Sequence, residues 1–407
     1  MSARVSHRSS RKGSASTSSV AQSPTTVAVQ LISDVSDFTA LHSAWNALAA
    51  ASGSGSVFLR HEWFDAAWQW RQQVARLYLL CLRRGSELTA VLPLVREETV
   101  SRGVLLRELS FLTVPDTQTC DVIVAEGEQA GAAEAFAAEL ARRQHEWDVL
   151  RLKYLPPASA AASSLRDAFK TKGFPTRLEQ RGSNAYVRLD STWEGYYATR
   201  TRSLKKANNL AANRLKRAGE VRIDWLEPGA GEAGRVAQVL DQIIAISAVS
   251  WKRRTGNSLD NSGPEAFIRR LSEVAHRRGW LSVWTLSLDG RPLAMEYQLI
   301  ADRRVFALRS DFDDAFEEIS PGSHLSRSLL ERLFGRELER YYMGPGENAY
   351  KQRWAEQAEP VAELIVYGRT LRGRWLAAWE TTLKPLARRL RDRLIGAGGD
   401  EQARNDP

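Results

Sequence analysis

The order of hydrophobic runs is stated twice along the chain, and that repetition constrains the fold more than any single motif. The first half reads as a strand at 27–33, helices at 37–51 and 61–74, and a hairpin made by Leu77–Leu82 and Leu88–Leu94. Strands at 103–112 and 120–125, an Ala-rich helix at 129–145, a strand at Val149–Leu155, a helix at 162–172 and strand character over 174–190 follow. After a helical stretch at 193–218 the order recurs: a strand at Val221–Leu226, helices at 232–251 and 264–278, and a hairpin over Leu281–Leu288 and Leu293–Ile300. A strand at 303–311, a helix at 322–335, a strand at 339–343, a short helix at 347–355 and a strand at 361–368 complete it. The expectation is an α/β (α+β) protein of two tandem mixed-sheet units flanked by helices.

The chain of 407 residues is long enough for two cores. The expected division is a basic, Ser-rich tail at 1–26, an N-terminal domain at 27–180, a C-terminal catalytic domain at 181–370, and a basic helix and tail at 371–407. The net charge of +9 gathers in the tail, in 200–217 and in the last helix, which bears on anionic partners rather than on fold. Two cysteines, Cys81 and Cys120, sit in apolar runs and read as buried thiols, which excludes a disulfide scaffold. No run of about 18 apolar residues is present, so a cytoplasmic protein without a transmembrane segment is expected. Trp375, Leu376 and Trp379 beside Arg388, Arg389 and Arg391 are compatible with a peripheral membrane contact.

One passage carries chemistry: Met343-Gly344-Pro345-Gly346-Glu347-Asn348-Ala349-Tyr350-Lys351, running on to Trp354. A strand end, two glycines that permit close backbone approach and a Tyr-Lys pair at a helix start would place one ammonium where negative charge develops. The alternative for Lys351 is a solvated lysine paired with Glu347. Glu296 stands in the apolar strand Leu293–Leu299, where desolvation would raise its pKa and suit it to general-base work; the alternative is an ion pair with Arg309 on the next strand. Pro321-Gly322-Ser323-His324 opens a helix after a strand, a place where backbone N–H groups hold anions. Residues 200–217 carry seven basic and no acidic side chains, among them Arg202, Lys205 and Lys206, and form a candidate phosphate- or acceptor-binding face or a solvated one. Trp251, at the head of Trp251-Lys-Arg-Arg254, is a candidate acceptor contact. The six histidines are scattered, so no metal site is expected; no phosphate loop or nucleophile elbow is present, which argues against NTPase and hydrolase chemistry.

Four passages together resemble a known family: Phe58–Trp63 running to Trp68, Ser203–Lys206 continuing to Gly219, Trp251–Gly256, and the Pro321-Gly322 turn with Gly344–Trp354. Over roughly 30–370 the chain is similar to the GNAT acyltransferase fold, duplicated as in the Fem-type aminoacyl ligases. More closely it resembles the acetyltransferase family linked to bacterial cellulose and exopolysaccharide biosynthesis (CelD/BcsL-type). The resemblance implies two tandem GNAT-like domains and acyl transfer, an acetyl group for instance, from acyl-CoA to an amine or hydroxyl acceptor, with no metal. It implies that Lys351, with Tyr350 beside it, acts on the donor carbonyl. It implies too that Gly322, Ser323, His324, Gly344 and Gly346 meet the donor, although of the usual Gln/Arg-x-x-Gly-x-Gly/Ala pattern only Gly322 is present. The N-terminal half would build the acceptor side, with substrates held in a cleft between the halves. Alternatives are tRNA-dependent aminoacyl transfer and a non-catalytic binding subunit of a polysaccharide-synthesis complex; a specific nucleic-acid partner is not expected.

Overall fold

The computed structural model describes Met1, residues 27–346 and residues 349–383. The N-terminal half runs β1 (Val27–Ile32), α1 (Val35–Ala40), α2 (His42–Ala51), α3 (His61–Arg71), β2 (Ala75–Arg84), β3 (Glu87–Ser101), β4 (Val104–Phe111), β5 (Ile123–Val124), α4 (Gln129–Arg142), β6 (Val149–Leu155), α5 (Ala160–Thr171) and β7 (Thr176–Arg188). The linking helices α6 (Trp193–Ala198) and α7 (Arg202–Ala218) lead into the C-terminal half. That half runs β8 (Val221–Leu226), α8 (Ala233–Ala248), α9 (Ser262–Arg277), β9 (Leu281–Leu288), β10 (Arg291–Ala301), β11 (Arg304–Phe312), α10 (Pro321–Phe334), β12 (Arg340–Pro345), α11 (Ala349–Trp354) and β13 (Gln357–Tyr367), with α12 (Leu371–Ala378) at the end.

The expected order of elements is present in both halves. The differences are local: the helix expected over 37–51 is two, α1 and α2, and the strand expected from Leu88 runs on to Ser101. The helix expected over 193–218 is broken at Thr199–Thr201, because Thr201 starts a new helix by accepting the Leu204 N–H, while Arg200 turns back to donate to the Trp354 carbonyl and pair with Glu356. The strand expected over 120–125 shrinks to two residues. Of the expected last helix, 371–378 is α-helical and 379–383 forms a π turn; Arg388, Arg389 and Arg391 lie outside the described residues.

All strands join one sheet, in the order β1-β2-β3-β4-β6-β13-β7-β12-β11-β10-β9-β8, with β5 on β3. Read from either edge the pattern is the same: four antiparallel strands, a parallel step (β4 to β6, β11 to β12), then the closing strand of the other half. The two halves therefore exchange their last strands. β7 pairs with β12, β13 pairs with β6, and the two closing strands pair with each other from Gln357↔Tyr186 to Val366↔Thr176. This pseudo-symmetry makes the molecule two tandem units on one continuous sheet.

In the C-terminal half, strand alternation divides side chains between two cores. Met295, Tyr297, Leu299, Phe306 and Tyr342 pack on the side of α8, α9 and α3, whereas Trp284, Leu286, Ala294, Val305, Tyr341 and Met343 pack on the side of α10. Glu296 shares the parity of Ala294 and so belongs to the α10 side.

The parallel step is where the halves differ. β11 and β12 pair only over Arg304–Phe306 and Arg340–Tyr342, then diverge. The equivalent step, Glu108–Ser110 with Val149–Arg151, leads instead into a packed segment. There Cys120 N–H bonds to the Tyr154 carbonyl at 2.9 Å, and Leu112, Val114, Thr117, Gln118 and Cys120 are buried. Both cysteines are free and buried, and burial pushes the Cys81 thiol up to about 12.

Candidate active site

The fork between β11 and β12 opens a cavity of about 460 Å³. Its walls include Ala307–Ser310 and Phe312 of β11, Tyr341 and Met343 of β12, and Glu296 of β10. Gly322, Ser323 and Ser326 of α10, Tyr350 and Lys351 of α11, and Trp251 and Lys252 complete them. Every one of these residues belongs to the C-terminal half. The cleft expected between the halves is thus a fork inside one half, because splaying a parallel pair opens space within a sheet.

Glu296 is 1% exposed. Its Oε1 accepts the Tyr341 hydroxyl at 2.6 Å and Gln298 Nε2 at 2.7 Å. Gln298 is itself fixed by Ser282 and the Trp284 indole, which both donate to its Oε1 at 3.1 Å. Burial raises the Glu296 pKa to about 7, against the bonds from Tyr341 and Gln298 and the charge of Lys252, which favour the anion. The ion pair with Arg309 weighed above does not form. Register sets Glu296 beside Ser310 and Tyr297 beside Arg309, so the two side chains leave opposite faces of the sheet. Arg309, fully buried, instead meets Asp116 of the N-terminal half at 2.9 Å and Asn257.

Lys351 Nζ donates to the carbonyls of Gly344 at 2.9 Å, Pro345 at 2.7 Å and Gly346 at 3.3 Å. It clasps the end of β12, where φ of +82° at Gly344 and +90° at Gly346 turns those carbonyls inward. Burial, then repulsion from Lys252, lowers its pKa to about 8. Glu347 lies outside the described residues. Lys252 pairs with Asp311 at 2.6 Å, and Asp311 also accepts from Ser247 at 2.8 Å. The Tyr350 hydroxyl donates to Ser326 Oγ, whose own hydroxyl donates to the Gly322 carbonyl at 2.9 Å; burial raises the Tyr350 pKa.

The start of α10 faces the cavity. Ser320 precedes it in the left-handed region with no side-chain cap, Pro321 has no N–H, and Gly322 and Ser323 line the wall. The residues before it are acidic: Asp313 pairs with Arg291 and Asp314 with Arg254, whereas Glu317 and Glu318, exposed and nearer the helix start, oppose an anion there. His324 does not line the cavity; its Nδ1 is buried without a partner and burial lowers its pKa. Gly344 does not line the cavity, and Gly346 lines a different groove.

That second groove is larger, about 860 Å³, and is lined by Glu97, Glu108, Arg151, Lys153, Arg181 and Glu363 among others, Pro345 and Gly346 included. Its charges are largely spent on each other: Arg151 with Glu108 and Glu380, Arg181 with Glu363. The smaller cavity holds the perturbed carboxylate and ammonium together, and is the better candidate for chemistry.

Arg202, Lys205 and Lys206 lie on α7, outside the cavity; Lys205 donates to the Ala198 carbonyl at 2.8 Å, and Arg202 and Lys206 are exposed. Trp251 stands at the rim, 45% exposed. Tyr341, Gln298, Ser326 and Lys252 were not singled out from sequence. Period-two alternation from Glu296 would have found Gln298; the other three needed the fold. Among the described residues no group of three or more His, Cys, Asp or Glu is placed to hold a metal, and no helix is long and apolar enough to cross a membrane.

Residues 202–352 match the family model described as an acetyltransferase (GNAT) domain. The C-terminal half thus holds a segment that is similar to a GNAT acetyltransferase domain. The matched GNAT segment runs from α7 to α11 and contains the whole cavity wall. Among solved structures the chain is similar to FemX, at 11% identity over 80% of this chain and 95% of that one, with a TM-score of 0.50. It is also similar to the C-terminal domain of a putative lysylphosphatidylglycerol synthetase from Agrobacterium fabrum, at 14% identity over 83% and 95%, with a TM-score of 0.51. A tandem GNAT protein from the clavulanic acid biosynthesis pathway aligns at 11% identity over 85% and 100%, with a TM-score of 0.48. No curated protein matches the chain. The GNAT domain and the repeated sheet together give a GNAT-type acyltransferase fold of two GNAT-like units.

Proposed function

We propose that the protein transfers an acyl group, acetyl in the simplest case, from acyl-CoA to an amine or hydroxyl acceptor. The observation that carries this reading is the β11–β12 fork, with the uncapped start of α10, Glu296 and Lys351 on one cavity wall. A thioester in the fork would lie with its phosphates toward the open N–H groups of Gly322 and Ser323 and its carbonyl toward the ammonium-bearing end.

The acceptor attacks the thioester carbonyl directly. A new C–N or C–O bond forms as the C–S bond breaks, and CoA leaves as the thiolate, which takes a proton from solvent. Glu296, ionised above about pH 7, takes the acceptor proton, directly or through the Tyr341 hydroxyl. Lys351 and Lys252 set positive potential where the carbonyl oxygen gains charge; Lys351 exchanges its longest carbonyl bond, to Gly346, for the oxyanion. Positioning of both substrates supplies much of the acceleration, and no covalent enzyme intermediate is required.

Trp251 at the rim contacts the acceptor, and the larger groove, lined in part by Pro345 and Gly346 beyond the end of β12, supports an approach from that side. The resemblance to the exopolysaccharide-associated acetyltransferases supports an acceptor of exopolysaccharide or cell-envelope biosynthesis, acylated in the cytoplasm. The test is thiol release from acetyl-CoA across a panel of amino sugars, amines and polyols, with mass spectrometry of the product. Acceptor-dependent release supports the reading; aminoacyl transfer from charged tRNA with no acetyl-CoA turnover contradicts it.

A further inference from the structure

We propose that Gln118, carried by the N-terminal half, holds the donor fork of the C-terminal half open; it is a positioning residue, not a catalytic one. The proposal rests on reading the fork as the donor site.

Ala307 is the first residue of β11 past the last β12 partner, Phe306–Tyr342. Its carbonyl faces β12: a Cβ placed on Gly344 would find that oxygen nearest, at 3.6 Å. If the parallel pair continued, a β12 amide would donate to it. Gln118 Nε2 donates instead, at 2.9 Å. The other end of the same amide accepts from Asn184 Nδ2 at 3.3 Å. Asn184 lies on β7 in register with Pro345, so the Gln118 amide bridges β11 and β7 across the end of β12.

Burial makes the substitution matter. Gln118 is fully buried, whereas the Ala307 carbonyl it serves is part-buried at the cavity wall, and losing its donor leaves that oxygen to seek another. Without Gln118, the nearest backbone able to serve Ala307 is the end of β12, and taking it would close the fork. A second tether fixes the same strand: Asp116, two residues earlier, pairs with Arg309, two residues further along β11. Gly344, flanked by the Gln118 amide and the Lys351 ammonium at 3.8 Å each from its would-be Cβ, has the left-handed φ that lets β12 bend away. The N-terminal half thus takes part in donor binding through the segment that fills its own parallel step.

The experiment compares the full-length wild type with Gln118→Met, similar in length but without the N–H donor, and with Asn184→Ala, which leaves Gln118 in place but unanchored. Hydrogen–deuterium exchange of 307–310 and 343–346 is the readout independent of donor chemistry. Closure of the fork predicts slower exchange there in Gln118→Met and an intermediate change in Asn184→Ala. Acetyl-CoA titration of the same proteins is expected to show affinity weakened about ten-fold in Gln118→Met. Unchanged or faster exchange in both variants overturns the proposal. Wild type that fails to bind acetyl-CoA refutes the donor reading alone, since the exchange comparison still reports on the fork. If Gln118→Met fails to fold, the exchange of Asn184→Ala decides.

Discussion

The Tyr341 hydroxyl donates to Glu296 across 2.6 Å inside a wholly buried pair on the α10 side of the sheet. That bond fixes where the base points and favours its anion; burial pulls the other way and leaves the pKa at about 7. Glu296 therefore changes charge within the physiological range.

The first prediction concerns pH. Transfer rises as Glu296 ionises through about pH 7 and falls as Lys351 loses its proton through about pH 8, giving a narrow bell. In Glu296→Gln the acid limb disappears and kcat falls by about 10²-fold or more. A full pH–rate profile of both proteins checks this.

The same shift predicts stability. The folded pKa of Glu296 exceeds its value in the unfolded chain, so the folded state holds the proton more tightly. Stability from this residue is greatest at low pH and declines as pH rises from about 4.5 to about 7. Glu296→Gln removes that decline, and at pH 8 the variant is expected to be more stable by on the order of 3 kcal/mol. Urea unfolding at pH 5 and pH 8 measures it.

Removing only the hydroxyl, in Tyr341→Phe, takes away a donor that favours the Glu296 anion. The acid limb is expected to move to higher pH while donor KM stays close to wild type. A limb that stays in place would show that Tyr341 does not tune the base.

Lys351→Met removes the clasp on Gly344, Pro345 and Gly346 together with the charge. The expected loss in kcat is about 10²-fold or more, with the folded state retained. Circular dichroism and steady-state kinetics on one preparation separate the two effects.

Asp116→Ala leaves the buried Arg309 guanidinium without its carboxylate. Breaking such a pair costs about 3–5 kcal/mol, so a large drop in denaturation midpoint is expected, well beyond that of exposed pairs such as Arg222–Asp224.

Much of the fold was legible because it is written in local periodicity: apolar alternation marks β9–β11, and capping residues and turn glycines mark where helices stop. The exchange of β7 and β13 was not, since each strand has the same apolar character whichever neighbour it pairs with. Glu296 and Lys351 were legible as charges where an apolar strand and a glycine turn give charge no ordinary reason to be. Gln118 and Asp116 were not, because their partners lie 189 and 193 residues away and their own segment has no period. The basic run at 200–217 drew notice by composition, yet α7 turns its burial toward Leu204, Asn208, Ala211 and Leu215 and leaves most of the cations in solvent.

The most direct test of the fork as a donor site is calorimetric titration of acetyl-CoA into the full chain and into Ser310→Trp, which sets an indole at the cavity mouth from an exposed position on β11. One binding site in the wild type, lost or strongly weakened in Ser310→Trp at unchanged thermal stability, is the predicted result. No heat from the wild type, or equal affinity in both proteins, would contradict it.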